Sequence, residues 1–212
     1  MKRYFSLFAA WTMVLIMAGP AHAILIDRGG GMIYDQDRNI TWLADANYAK
    51  TSGHDSDGLM NWHLAVAWAD TLVYGGFNDW RLPTALNQDG SGPCGTAYDC
   101  TGSEMGHLFY SELGGTAGSS ILTSGNSNLA LFSNIQSFVY WSATGYESMT
   151  INAWAFHFGN GLQGFDNTDH SFYAWAVRSG DVPPVPEPSS LLLMAAGLAG
   201  LVGLGRRRWI LR

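Results

Sequence analysis

Basic residues are scarce in the body of this chain. Between Ile24 and Asp181 there are five (Arg28, Arg38, Lys50, Arg81 and Arg178) against sixteen acidic residues, a net of −11, although the whole chain of 212 residues carries only −6. A surface with that field repels polyanions, which argues against nucleic acid and against charge-driven binding of sulfated glycans. Cysteine is scarcer still, with Cys94 and Cys100 the only two. Two thiols cannot knit a miniature disulfide scaffold, and with no His pair beside them they do not make a zinc site. No internal repeat is evident, which excludes a solenoid. No nucleophile, His and acid stand at a readable spacing, so no catalytic, metal or cofactor residue is assigned.

The remaining basic residues lie at the two ends. Lys2-Arg3, an apolar stretch from Tyr4 to Gly19 and Ala21-His22-Ala23 form the three parts of a secretory signal peptide, with cleavage expected after Ala23. At the other end Pro186-Glu187-Pro188 precedes an uncharged run, Leu191 to Gly205, and then Arg206, Arg207 and Arg208. Fifteen residues rise about 22 Å as a helix against a hydrocarbon core of about 30 Å, so the run is a short, Gly-rich span. The arginines would stay cytoplasmic and leave the body of the chain on the far side. This tail resembles the PEP-CTERM sorting signal of exopolysaccharide-producing Gram-negative bacteria. That resemblance implies exosortase as a processing partner, membrane insertion through 191–205 before processing, and a destination at the cell surface or in the extracellular matrix. An ordinary single-pass anchor is the plainer alternative. The expected division is a signal peptide at 1–23, one domain at 24–182 and the sorting signal at 183–212.

An exported domain of this size can bury one sizeable core. Cys94 and Cys100 lie in a Gly-, Pro- and Asp-rich stretch of it, and a local disulfide is the expected state. Met32-Ile33-Tyr34 and Ile40-Thr41-Trp42-Leu43 flank a polar turn and read as a hairpin. Leu59, Trp62, Ala65, Val66, Ala69 and Leu72 recur at helical spacing, with Asn61 or Asp57 as N-cap. Ser103 can cap a second helix running to Glu112. Val139–Thr144, Ala153–Phe158, Gly161–Phe165 and Tyr173–Arg178 read as strands. The order hairpin, two helices, strands predicts an α+β fold with a mainly antiparallel sheet.

Five pieces carry a resemblance: Tyr34-Asp35 with Thr41-Trp42, Trp80-Arg81-Leu82-Pro83-Thr84, Tyr140-Trp141-Ser142-Ala143-Thr144, Ala153-Trp154, and Ala176-Val177-Arg178. In this order they resemble the Lcl C-terminal domain family, related to the C-type-lectin-like and formylglycine-generating-enzyme folds. The Arg-Leu-Pro-Thr segment of that family runs straight into a helix, whereas here residues 85–102 intervene. The resemblance implies a C-type-lectin-like body and recognition of a glycan, an exopolysaccharide or a protein.

Candidate chemistry reads as follows. Formylglycine-type oxidation needs an accessible, low-pKa thiolate, which a disulfide precludes. Asp55-Ser56-Asp57-Gly58 has the start of an oxygen-ligand loop for calcium but lacks the distal Glu of an EF-hand. Asp57 as a cap and Asp55 as a solvated group is the simpler reading. His63 and His107 read as polar fillers, and Glu104 and Glu112 as exposed helix carboxylates. Arg81 and Arg178 are expected to hold specific carboxylates or carbonyls. Most tryptophans are expected in the core, with one or two free to stack on sugar rings. The expectation is a non-catalytic binding or structural protein of the surface or matrix. The alternative is an enzyme of the formylglycine-generating or hydrolase class.

Overall fold

Runs of β-branched and aromatic residues around a polar turn make the first hairpin, and a computed structural model describing residues 24–183 shows where it leads. Strands β1 (Leu25–Asp27), β2 (Met32–Asp35) and β3 (Ile40–Leu43) form an antiparallel meander. The turn between β2 and β3 is held by the Asp35 carboxylate, which accepts the Arg38 N–H at 3.0 Å. Asn39 takes a left-handed conformation there, with φ of 51°, which asparagine tolerates better than most residues. The C-terminal strand β9 (Val177–Ser179) returns to pair with β3, giving the order β1-β2-β3-β9.

A second sheet runs β4-β8-β5-β6-β7, from β4 (Leu59–Met60), β8 (Phe172–Tyr173), β5 (Val139–Gly145), β6 (Asn152–His157) and β7 (Leu162–Asn167). Its pairings are antiparallel except for β5 with β8. The α+β class and the mainly antiparallel sheet agree with the sequence reading. The segment Tyr173–Arg178, expected as one strand, is divided between the sheets. Ala174, Trp175 and Ala176 are fully buried where the chain crosses from one sheet to the other, and the Trp175 indole donates to the Leu43 carbonyl at 2.7 Å. Burial on all sides leaves no solvent face for a continuous strand.

The described residues form three α-helices rather than two: the first lies between the sheets in chain order, and the other two lie between β4 and β5 of the second sheet. The first, α1 (Tyr48–Thr51), is a single turn. Helix α2 (Trp62–Thr71) begins three residues later than its apolar periodicity suggests, because Leu59 and Met60 pair with β8. Asn61 is its N-cap and accepts the Leu64 N–H at 2.9 Å. Helix α3 (Glu104–His107) is capped by Ser103, which accepts the Gly106 N–H at 3.2 Å, and then widens into a π turn over Leu108–Glu112.

The core between the sheets is aromatic. Trp175 lies at its centre, with ring centroids 5.2 Å from Trp42 and Phe132 and 5.6 Å from Phe158. Trp42, Trp141 and Trp175 are fully buried, as expected of tryptophans on strands. Indole donors in this interior need acceptors. The Trp141 N–H donates to the Met60 carbonyl at 2.9 Å and the Trp80 N–H to the Tyr74 carbonyl at 3.2 Å, whereas the Trp42 N–H has no partner among the described residues.

Candidate functional site

Register determines which side chains the second sheet presents outward. On β5, β6 and β7 the cross-strand partners Val139 with His157, Ala155 with Gly164, and His157 with Leu162 share one face. Small residues in the middle and larger ones at the edges make a shallow groove of about 180 Å³, which Phe165, Asp166 and Phe172 complete. Phe138 is 44 % exposed beside it and meets His157 and Phe172 edge-on, at centroid distances of 5.8 and 5.9 Å. Polar groups sit among these rings. The His157 Nδ1 accepts the Gly159 N–H at 2.9 Å, which puts the imidazole proton on Nε2 as a donor. Burial lowers the His157 pKa from 6.5, so the ring is neutral at neutral pH. Asp166 brings a carboxylate, 2.8 Å from His170 Nδ1.

The cross-strand pair Trp154 and Phe165 points to the other face of the sheet, where a second groove of about 200 Å³ opens. Leu86, Pro93, Thr144, Tyr146, Glu147 and Trp154 are among its walls. Phe165 touches both. It lines the first groove and stacks on Tyr146 of the second at 4.1 Å and 22°, with Trp154 edge-on at 5.7 Å. Exposed aromatic faces beside carboxylates suit a ligand with both C–H and O–H surfaces.

The disulfide Cys94–Cys100 joins Cα atoms 5.9 Å apart, and its loop borders this region. Ala97 and Gln163 exchange main-chain hydrogen bonds of 3.1 and 3.0 Å, so the loop covers the outer edge of β7. A covered edge cannot pair with another chain. Both cysteines are in the bond, as the sequence reading expected.

The acidic residues read as exposed helix carboxylates are buried. Glu104 accepts both arms of the Arg81 guanidinium, at 2.8 and 2.7 Å, and also the Thr84 N–H at 2.8 Å. Glu112 is 1 % exposed and its Oε1 lies 3.1 Å from His107 Nε2. Residues five apart on an α-helix point about 140° away from each other, and it is the π turn that brings them together. Asp35, fully buried at the end of β2, approaches the same His107 nitrogen at 3.9 Å. Burial pushes the Asp35 carboxyl up from 3.8 to about 6, against the Arg38 N–H and His107, which favour its charged form. Asp35 Oδ2, Arg38 Nε and Glu112 Oε2 are buried with no hydrogen-bond partner among the described residues.

Sequence reasoning missed this convergence of Asp35, His107 and Glu112. Strand and helix patterns carry no information about which elements meet, and no spacing rule extends to a π turn. His107 is a member of a buried ionic cluster, not a filler, whereas His63 stays exposed on α2. The Asp55 carboxylate accepts the Asp57 and Gly58 N–H groups, at 3.0 and 2.7 Å, and Asp57 accepts Leu59 N–H at 2.9 Å. Both fold back on their own turn, and Asp57 is not the cap of α2. Arg81 and Arg178 do hold carboxylates: Arg178 reaches Asp79 through Nε at 2.8 Å and Nη2 at 2.9 Å. Ala23, Pro186, Glu187, Pro188 and Arg206 to Arg208 lie outside the described residues, as does the apolar run 191–205. Among the described residues no helix is long and apolar enough to cross a membrane.

These features define an α+β domain with two aromatic grooves and one buried ionic cluster. The tail places it among sorted proteins: residues 184–208 match the PEP-CTERM protein-sorting motif. The motif marks the chain as an exported surface protein processed by exosortase. No curated protein and no solved structure matches the chain.

Proposed function

We propose that this is a non-catalytic glycan-binding protein of the cell surface or exopolysaccharide matrix. In this reading residues 1–23 direct export, 24–182 form a C-type-lectin-like domain of the Lcl C-terminal kind, and 183–212 are the sorting signal. The Phe165 and Tyr146 stack, which touches both grooves, carries the proposal. Sugar rings lay C–H faces on aromatic rings, and their hydroxyls donate to carboxylates such as Asp166 and Glu147. Each groove offers an aromatic ring and a carboxylate to a separate sugar residue. The net negative charge favours a neutral or basic glycan over a sulfated one.

The kinship with the Lcl C-terminal domain is supported by how its five pieces assemble. Thr41 pairs with Arg178 and Trp42 with Val177. Arg81 exchanges two main-chain hydrogen bonds of 2.8 Å with Val177, and Ala143 N–H donates to the Pro83 carbonyl at 2.8 Å. Ser142 Oγ donates to the Trp154 carbonyl, also at 2.8 Å. Pieces far apart in the chain thus form one hydrogen-bonded unit. The enzymatic alternative of the formylglycine type requires a free thiolate, and Cys94 and Cys100 are bonded to each other. A glycan array probed with the purified exported chain tests the proposal. Binding to a restricted set of glycans is expected, and uniform absence of binding would refute it.

A further inference from the structure

We propose that Asp35, His107 and Glu112 bind one divalent transition-metal ion, of which Zn²⁺ is the chemical fit. One ligand atom from each residue can be chosen so that all three lie within 4.8 Å of one another, in a fully buried setting. The His107 nitrogen is 3.1 Å from Glu112 Oε1 and 3.9 Å from Asp35 Oδ1. Ligands bound at about 2.0 to 2.1 Å in a tetrahedron stand about 3.3 Å apart, so the cluster is within side-chain adjustment of that geometry. The buried carboxylate oxygens without partners, Asp35 Oδ2 and Glu112 Oε2, supply further lone pairs at the same place.

Ligand type selects the ion. Calcium and magnesium take oxygen ligands, whereas an imidazole with two carboxylates suits zinc and its neighbours. Two carboxylates balance a doubly charged cation, removing the cost of burying like charges side by side. A supporting shell is also present, because Asp35 Oδ1 accepts the Arg38 N–H. The cluster has no open face for a substrate: Asp35 and Glu112 side chains are inaccessible and His107 is 11 % exposed. The ion would therefore be structural, tying the end of β2 to the π turn. The rival arrangement is a protonated His107 shared by the two carboxylates, with no metal.

The test is metal content and spectroscopy on the exported, purified chain after chelation and reloading with Zn²⁺ or Co²⁺. About one Zn²⁺ per chain is expected, with a rise in Tm and visible Co²⁺ d–d bands of a low-coordinate N/O site. Substitution His107→Gln or Glu112→Gln should weaken Zn²⁺ binding at least about tenfold. Should either variant fail to fold, ¹⁵N NMR of the unsubstituted chain decides. Zn²⁺ must shift the ring nitrogens of His107, and an unmoved His107 overturns the proposal. Absence of stoichiometric metal, or folded variants that keep it, would also overturn it.

Discussion

Removing the guanidinium of Arg81 should destabilise the domain more than any other single surface-reaching change. Its partner Glu104 is the reason: that side chain is 10 % exposed, while the Arg81 side chain is 32 % exposed. Arg81→Met would leave Glu104 with the Thr84 N–H and only the more distant charge of Arg38. Breaking a buried pair costs about 3 to 5 kcal/mol, and the partial exposure of Arg81 places this pair near the lower end, about 3 kcal/mol. For a domain of this size about 1 kcal/mol shifts Tm by about 2 to 4 °C, so a fall of about 6 to 12 °C is expected. Arg81→Lys keeps the charge but loses the two-armed fork and should fall by about half as much. Combining Arg81→Met with Glu104→Met removes the stranded carboxylate and should recover much of the loss. Thermal denaturation followed by circular dichroism measures all three. An unchanged Tm in Arg81→Met, or a double variant worse than the sum of the single ones, would refute the reasoning.

Other consequences follow from the disulfide, the helix contacts and the peripheral ion pairs. Replacing Cys94 and Cys100 with serine removes a bridge of sequence separation 6, which the chain-entropy relation values at about 2 kcal/mol. Amide exchange at Ala97 and Gln163 should accelerate, and unchanged protection would contradict the edge-covering role. Gly106→Ala places a methyl 1.9 Å from the Cys100 carbonyl oxygen and should cost about 1 to 3 kcal/mol in a denaturant titration, despite alanine's better helix propensity. A neutral result would mean that the loop yields freely. Hydrogen bonds from Arg178 hold the Asp79 carboxyl below its usual 3.8. The stability it adds is therefore present above about pH 4 and lost as pH falls through the folded-state value. Carboxyl ¹³C NMR should show the depressed midpoint return toward the usual value in Arg178→Met.

How much of this was legible beforehand varied with the physics. The hairpin from Met32 to Leu43 was legible because its β-branched and aromatic runs and its polar turn agree. The cap of α2 was legible as Asn61 or Asp57, and the pairing of Leu59 and Met60 leaves it to Asn61. Leu59 and Met60 were misread, since helical spacing of apolar residues does not reveal a two-residue pairing with Phe172 and Tyr173. Arg81 and Arg178 stood out because cations are rare in this domain, and scarcity made a specific partner the economical reading. The same scarcity argument does not work for acids, which are abundant, so Glu104 and Glu112 looked ordinary. Glu112 meets His107 only through a π turn, and Glu104 meets Arg81 and Thr84 only through tertiary folding. The grooves depend on Phe165 and Tyr146 meeting across strands, which register decides and composition does not.

The central claim is that the stack of Phe165 on Tyr146 binds glycan. The most direct measurement is affinity of the exported chain for an array-selected oligosaccharide or the matrix polysaccharide, compared with Phe165→Ala. Losing one stacking face should cost about 1 to 1.5 kcal/mol, or about tenfold in Kd. Phe165 is 37 % exposed and packs on Tyr146 and Trp154, so some fall in Tm is expected and affinity is compared on the folded variant. Equal affinity in the wild-type chain and the folded Phe165→Ala variant would contradict the account.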